Sequence, residues 1–344
     1  MILIIFGAGA SYDSVPSRPP SRYPRDQIST RMPLASELFL DEGMFQNVLA
    51  RFPRCKPIVP YLQDISNRSN IEATLEKLQS ESETYVERKH QLAAIRYYLH
   101  CVIWECEQAW NSVASGVTNY VTLLDQIRLS LKPKETVSIV TFNYDRMIED
   151  ALRTVGVNIT TFPGYVDHDT YRLYKLHGSV HWGRIIEQPS YNPERMGAWD
   201  VVNLIIEQAH QLKLSNQFRI VAERPMGVQD HLILFPALAM PVQEKSDFEC
   251  PDPHMESLKT SLPLITKIIV VGWKGADLHF LRLLKQFIKP RLPVCIVSGD
   301  SKAGQEVAAK FFEAGIPIAM KAFDGGFSDF IVSREAETFL QSYS

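Results

Sequence analysis

Four short stretches of the chain are almost wholly apolar and rich in β-branched residues: Ile2–Phe6, Val137–Phe142, Lys267–Gly272 and Val294–Val297. Runs of this length without polar alternation belong to strands covered on both faces, as in a parallel sheet packed between helices. Helical patterns follow most of them. Tyr144–Val155 carries Met147, Ile148, Ala151 and Leu152 on one face, Leu278–Ile288 carries Leu281, Leu284, Phe287 and Ile288, and Lys302–Ala314 follows Gly299. Strand followed by helix, repeated, predicts an α/β fold built on a Rossmann-like doubly wound parallel sheet. Leu173–Leu176 and Leu232–Phe235 are weaker candidates for strands of the same kind.

The sheet pattern is interrupted twice. A loop rich in proline and arginine, SVPSRPPSRYPRDQISTRMP (Ser14–Pro33), follows the first strand. Unstructured connections of this length are uncommon unless they are functional or disordered. From Leu34 to about Lys132 the pattern turns helical, as in Ile71–Ser82 and Tyr85–Trp110, which predicts a large helical insertion between the first and second strands. A second, smaller insertion, about Arg184 to Ser261, combines a helical piece, Asp200–Leu214, with a short strand and turns. The whole of 1–344 then reads as one Rossmann-type domain with two insertions.

Composition narrows the class. A net charge of -3 gives no support to nucleic-acid binding, which favours a strongly basic domain. Cys55, Cys101, Cys106, Cys250 and Cys295 are irregularly spaced with no C-x-x-C pair, which argues against a disulfide framework and a zinc ribbon. The apolar opening is too short to span a bilayer and lacks the flanks of a signal peptide. The expectation is a cytoplasmic protein with reduced thiols, no membrane segment and no metal.

Polar residues and glycines gather where the apolar runs stop. In "IIFGAGAS" the first strand empties into Gly7-Ala8-Gly9-Ala10-Ser11. A strand, glycines and a helix start can offer backbone N–H groups to a phosphate, or can simply form a tight turn. The dehydrogenase fingerprint G-x-G-x-x-G is incomplete, since Tyr12 holds the third glycine's place. The second strand ends in Asn143 and Asp145, either ligand-facing side chains or, for Asn143, a helix cap. His177 stands before a Gly-Ser turn in "LYKLHGSVHW". Gly272 closes the run KIIVV, and Asp277 opens the next helix as an N-cap or as a partner for a ribose hydroxyl. Ser298, after "CIV", falls at a fifth strand end.

In this order GAGAS (Gly7–Ser11), TFNYD (Thr141–Asp145), KLHGS (Lys175–Ser179) and VGWKGAD (Val271–Asp277) resemble the motifs of the sirtuin superfamily. The resemblance is closer to the sirtuin-like NAD hydrolases of bacterial antiphage defence than to the protein deacetylases, and RMPLASELF (Arg31–Phe39) resembles the same branch. It implies NAD as substrate. Gly7, Ala8, Gly9 and Ser11 would surround the diphosphate, and Asn143 and His177 would form the catalytic pair. Asp145 would lie near the nicotinamide end, and Gly272 with Asp277 would hold the adenosine half. Deacetylating sirtuins carry a glutamine where this chain has Phe142, and a four-cysteine zinc module that this chain lacks. Protein deacylation is therefore the lesser expectation.

Breaking the nicotinamide–ribose bond passes through an oxocarbenium-like state. Nicotinamide departs as a neutral base, so no acid is needed to protonate it, and a carboxylate pair is unnecessary. The expected products are nicotinamide and ADP-ribose. Unchecked NAD loss is lethal, so the resemblance implies a gated effector, either a homo-oligomer or one working with a separate sensor such as a helicase-like ATPase. The alternative is a regulatory subunit that binds NAD or ADP-ribose without turnover.

Overall fold

The structure is a computed structural model that describes residues 1–63, 71–187, 196–221, 227–241 and 248–342. The chain divides into two compact units. One comprises Met1–Met32, Glu107–His177 and Glu244–Ser344, the other Pro33–Cys106 and Gly178–Gln243. The stretches 107–132 and 248–261, which the sequence pattern groups with the insertions, thus fold in the unit that holds the first strand. Parts of the second insertion, 188–195, 222–226 and 242–247, lie outside the described residues.

Strands are numbered along the chain. The first unit holds a six-stranded parallel sheet made of β1 (Ile2–Phe6), β2 (Val137–Thr141), β3 (Tyr171–Lys175), β8 (Lys267–Val271), β9 (Leu292–Val297) and β10 (Ile318–Phe323). Its order is β10-β9-β8-β1-β2-β3. The chain starts in the middle, builds outward on one side, then returns to build on the other, which is the doubly wound order with its switch point between β1 and β8. All five residues of β1, β2 and β8 are buried, as unbroken β-branched runs require.

Register fixes where the strands stop. Phe6 pairs with Thr141 and Val271, Thr141 with Lys175, and Val271 with Val297. Five strand ends are therefore level, and every residue singled out in the sequence lies just beyond that line. In open α/β sheets this carboxyl edge is where ligands bind. Of these strands β10 escapes the sequence pattern. It lies at the edge of the sheet and is half-exposed, so it shows no apolar run.

The second unit contains an antiparallel sheet of β4 (Gly178–Ile186), β5 (Leu214–Ile220), β6 (Val228–Gln229) and β7 (Leu232–Leu238), ordered β5-β4-β7-β6. Leu232–Phe235 thus belongs to an antiparallel sheet and not to the parallel one. Its apolar run reports burial, and burial does not report strand direction. The helix read over Asp200–Leu214 spans Ala198–Glu207, and Leu214 already begins β5. Tyr97 and Tyr98, on the long helix Val86–Ala114, donate hydrogen bonds to the carbonyls of Leu234 and Leu38. That helix stops at Ser115 and Gly116, both at positive φ.

All five cysteines are buried. No helix among the described residues is long and apolar enough to cross a membrane.

Candidate active site

The glycines at the switch point are explained first by chain packing. A Cβ on Gly7 would lie 2.5 Å from Trp273 Cα, one on Gly9 2.8 Å from Gly272 Cα, and one on Gly272 2.3 Å from Ala10 N. Gly272 also has φ +61°, a conformation that L side chains resist. The turns after β1 and β8 therefore touch backbone to backbone. Their amides serve this contact: Gly7 N–H donates to Val271 O at 3.1 Å, Gly9 N–H to Gly272 O at 3.0 Å, and Ala10 N–H to Gly7 O at 2.9 Å. This gives the G-x-G pattern a reason that the sequence reading did not include.

The next turn buries a polar network. Helix Ala8–Tyr12 brings Ser11 beneath the end of β2, where the Ser11 hydroxyl donates to Asp145 Oδ2 at 2.7 Å. Asp145 Oδ1 accepts from Met147 N–H at 3.1 Å, which ties it to the start of helix Met147–Thr154. Asn143 Nδ2 lies 3.0 Å from Gly7 O and 2.9 Å from Ser11 Oγ, with Tyr120 OH at 3.2 Å. The Gly7 carbonyl can only accept, so the amide nitrogen must be the end that faces it. Oδ1 of Asn143 has no hydrogen-bond partner among the described residues. A side chain held by its nitrogen with its oxygen available is equipped to orient a hydroxyl or a water.

His177 stands two residues past β3, beside the end of β2. Its Nε2 lies 2.8 Å from Asp277 Oδ2, while Oδ1 of the same carboxyl accepts from Phe280 N–H at 2.8 Å and caps helix Leu278–Phe287. Asp277 therefore does two things at once: it starts a helix and holds an imidazole. With the proton of Nε2 directed at Asp277, Nδ1 carries the ring's lone pair.

Rings join the two polar clusters. Phe142, adjacent to Asn143, stands 4.7 Å from the His177 ring and stacks on Trp273 at 5.2 Å with 6° between the planes. Tyr144, on the other side of Asn143, is 6.5 Å from His177. Phe142 and Tyr144 thus set aromatic rings beside the imidazole on the side of β2.

Charged groups brace this edge from below. Lys175, fully buried, pairs with buried Glu149 at 2.9 Å and also bonds the carbonyl of Asp145. Glu149 is held by Tyr165 OH as well, at 3.1 Å. Glu107 receives Arg146 through its backbone N–H and its guanidinium, each at 2.8 Å. Burial pushes the Glu107 carboxyl up to about 7, against the opposing pull of Arg146.

Gly7, Ser11, Asn143 and Asp145 therefore meet in one network, and His177 meets Asp277. Gly9 and Gly272 meet through their backbones. Ala8 opens the first helix. The Ser298 hydroxyl bonds back to Asp300 O within its own turn, at 2.8 Å, and its backbone bonds Phe323 and Gly326 and none of the other predicted site residues. Tyr120, Glu107, Arg146 and Lys175 were not legible as site residues. Their partners lie 23 to 109 residues away or carry no motif, and an amphipathic helix pattern does not distinguish a core tyrosine from one whose hydroxyl is used. Among the described residues no group of three or more His, Cys, Asp or Glu side chains is arranged to hold a metal ion.

Residues 137–198, which include β2, Asn143, Asp145 and His177, match the family model described as a SIR2-like domain. No curated protein matches the chain. Among solved structures, a Sir2 homologue mutant in complex with ADP-ribose aligns at 12% identity over 99% of this chain and 92% of its own, with a TM-score of 0.42. A Sir2 homologue in complex with NAD aligns at 11% identity over 100% of this chain and 90% of its own, with a TM-score of 0.40. Sir2Tm bound to a propionylated peptide aligns at 11% identity over 99% and 94%, with a TM-score of 0.41.

Proposed function

We propose that this protein hydrolyses NAD at the nicotinamide–ribose bond, giving nicotinamide and ADP-ribose. The observation that supports the reading is the position of Asn143 and His177 just past the ends of two paired strands, inside the stretch that matches the SIR2-like domain.

On this reading the C1′–N bond breaks with its electron pair leaving on the nicotinamide nitrogen, which neutralises the pyridinium. Oδ1 of Asn143 orients the ribose and one water, a positioning contribution. Nδ1 of His177 accepts the proton that the water loses as its oxygen bonds C1′, a step worth on the order of 10²–10⁴ in rate. Asp277 holds the ring and stabilises the imidazolium that forms, so its proposed role moves from the adenosine half to His177. Gly7, Ala8, Gly9 and Ser11 flank the diphosphate, with Gly272 and Ser298 on the adenosine side. Asp145 fixes Ser11 near the nicotinamide end.

The motif resemblance to antiphage NAD hydrolases extends the proposal to a gated effector that depletes NAD as a homo-oligomer or with a separate sensor. The helical stretch 34–132 is the proposed assembly surface. The biochemical test is incubation of pure protein with NAD and quantification of nicotinamide. Asn143→Ala and His177→Ala are each expected to lower release by about 10²-fold or more. Full activity in both variants overturns the assignment. NAD binding by calorimetry with no nicotinamide released by the wild type would make the protein a binding subunit instead.

A further inference from the structure

The hydroxyl of Tyr120 is fully buried and sits within hydrogen-bond distance of both Ser11 and Asn143. It comes from helix Asn119–Ser130, outside the matched stretch and outside every motif seen in the sequence. We propose that Tyr120 is a positioning residue that locks the carboxamide of Asn143, directly and through the Ser11 hydroxyl. The proposal rests on the role given to Asn143 above.

The argument is a count of protons. The one hydroxyl hydrogen of Ser11 goes to Asp145 Oδ2 at 2.7 Å. Ser11 Oγ must therefore accept from its two other neighbours, Tyr120 OH at 2.9 Å and Asn143 Nδ2 at 2.9 Å. An amide nitrogen can only donate, which agrees, and so Tyr120 is the donor in its pair. Each bond in the chain then has one possible direction. If the Tyr120 hydroxyl is removed, Asn143 Nδ2 loses its acceptor at 3.2 Å, and Ser11 Oγ, still donating to Asp145, loses the donor that left a single lone pair directed at the amide. The Gly7 carbonyl and a less constrained Ser11 oxygen remain, and about these two the carboxamide has more room to turn. Because reacting atoms must be held within tenths of an ångström, such looseness lowers turnover without lowering ground-state affinity in proportion.

Tyr120→Phe tests this without emptying the core. The ring keeps its edge contacts with Phe6 at 4.9 Å and Phe327 at 5.5 Å. The expected result is a kcat for nicotinamide release that falls about tenfold or more while KM stays within about twofold. Ser11→Ala is expected to lower kcat comparably, and Tyr120→Phe added to Ser11→Ala is expected to cost less than it does alone, since the tyrosine acts in part through the serine. A purely structural role for Tyr120 would instead give additive losses, or an unchanged kcat. A second readout does not depend on turnover: the side-chain amide protons of Asn143, observed by NMR in asparagine-labelled protein and identified by their loss in Asn143→Ala. They should be protected from exchange in the wild type and unprotected in Tyr120→Phe. Loss of protection in a protein that releases no nicotinamide would retain the positioning role and remove the hydrolase reading. Unchanged protection with unchanged kcat overturns the proposal.

Discussion

Asp277 divides its two carboxyl oxygens between a helix start and an imidazole. Its position before Leu278 makes it an N-cap, and the structure has Oδ1 on Phe280 N–H. Its second oxygen, expected on a ribose hydroxyl, is within 2.8 Å of His177. The two functions can be separated, because asparagine caps a helix about as well as aspartate. Asp277→Asn should keep stability within a few tenths of a kcal/mol, whereas Asp277→Ala should lose about 1 kcal/mol in urea unfolding. Both should lower nicotinamide release by at least about tenfold, because the imidazolium loses its counter-charge. If only the alanine variant loses activity, the carboxylate acts through the helix alone.

At the scale of elements, parallel strands that end level do most of the assembly. Residues 136 positions apart, such as Gly7 and Asn143, meet because β1 and β2 are paired in register and each carries its polar residue one or two steps past the end. The helices are tied to the same edge by buried charge. Helix Val86–Ala114 supplies Glu107 to Arg146, and β3 supplies Lys175 to Glu149 on helix Met147–Thr154. The Glu107 carboxyl, held near 7 by burial, makes this bracing pH-dependent. Between its unfolded value of 4.5 and about 7 the folded protein keeps a proton that the unfolded chain has released. Its contribution to stability is therefore greatest at the acid end of that window, falls as pH rises through it, and is flat above. Glu107→Gln, which cannot ionise, should flatten the slope of unfolding free energy between pH 5 and 7. An unchanged slope would show that other groups set it.

For the molecule as a whole, the proposed site lies entirely within one compact unit, built from three separated pieces of chain. A ligand that binds the folded state alone stabilises it by RT ln(1 + [L]/Kd), about 2.7 kcal/mol at a hundredfold excess over Kd. In the Asn143→Ala variant, where NAD would persist, saturating NAD should raise the thermal midpoint by roughly 5–10 °C. Nicotinamide alone at the same concentration should move it much less, since it lacks the diphosphate and adenosine contacts. Equal shifts would confine recognition to the nicotinamide end.

The sequence by itself determined the α/β class, the central strands and the strand ends at which glycines and polar residues gather. Continuous β-branched runs can be buried only inside a sheet, and polar residues that close such runs must fall at its edge. It did not determine β10 or the direction of β7, because apolarity reports burial and neither edge pairing nor polarity along the chain. It did not show why Gly9 and Gly272 are glycines, nor that Tyr120 reaches Asn143. Those are matters of contact between segments far apart in sequence, and only tertiary structure brings them within bonding distance.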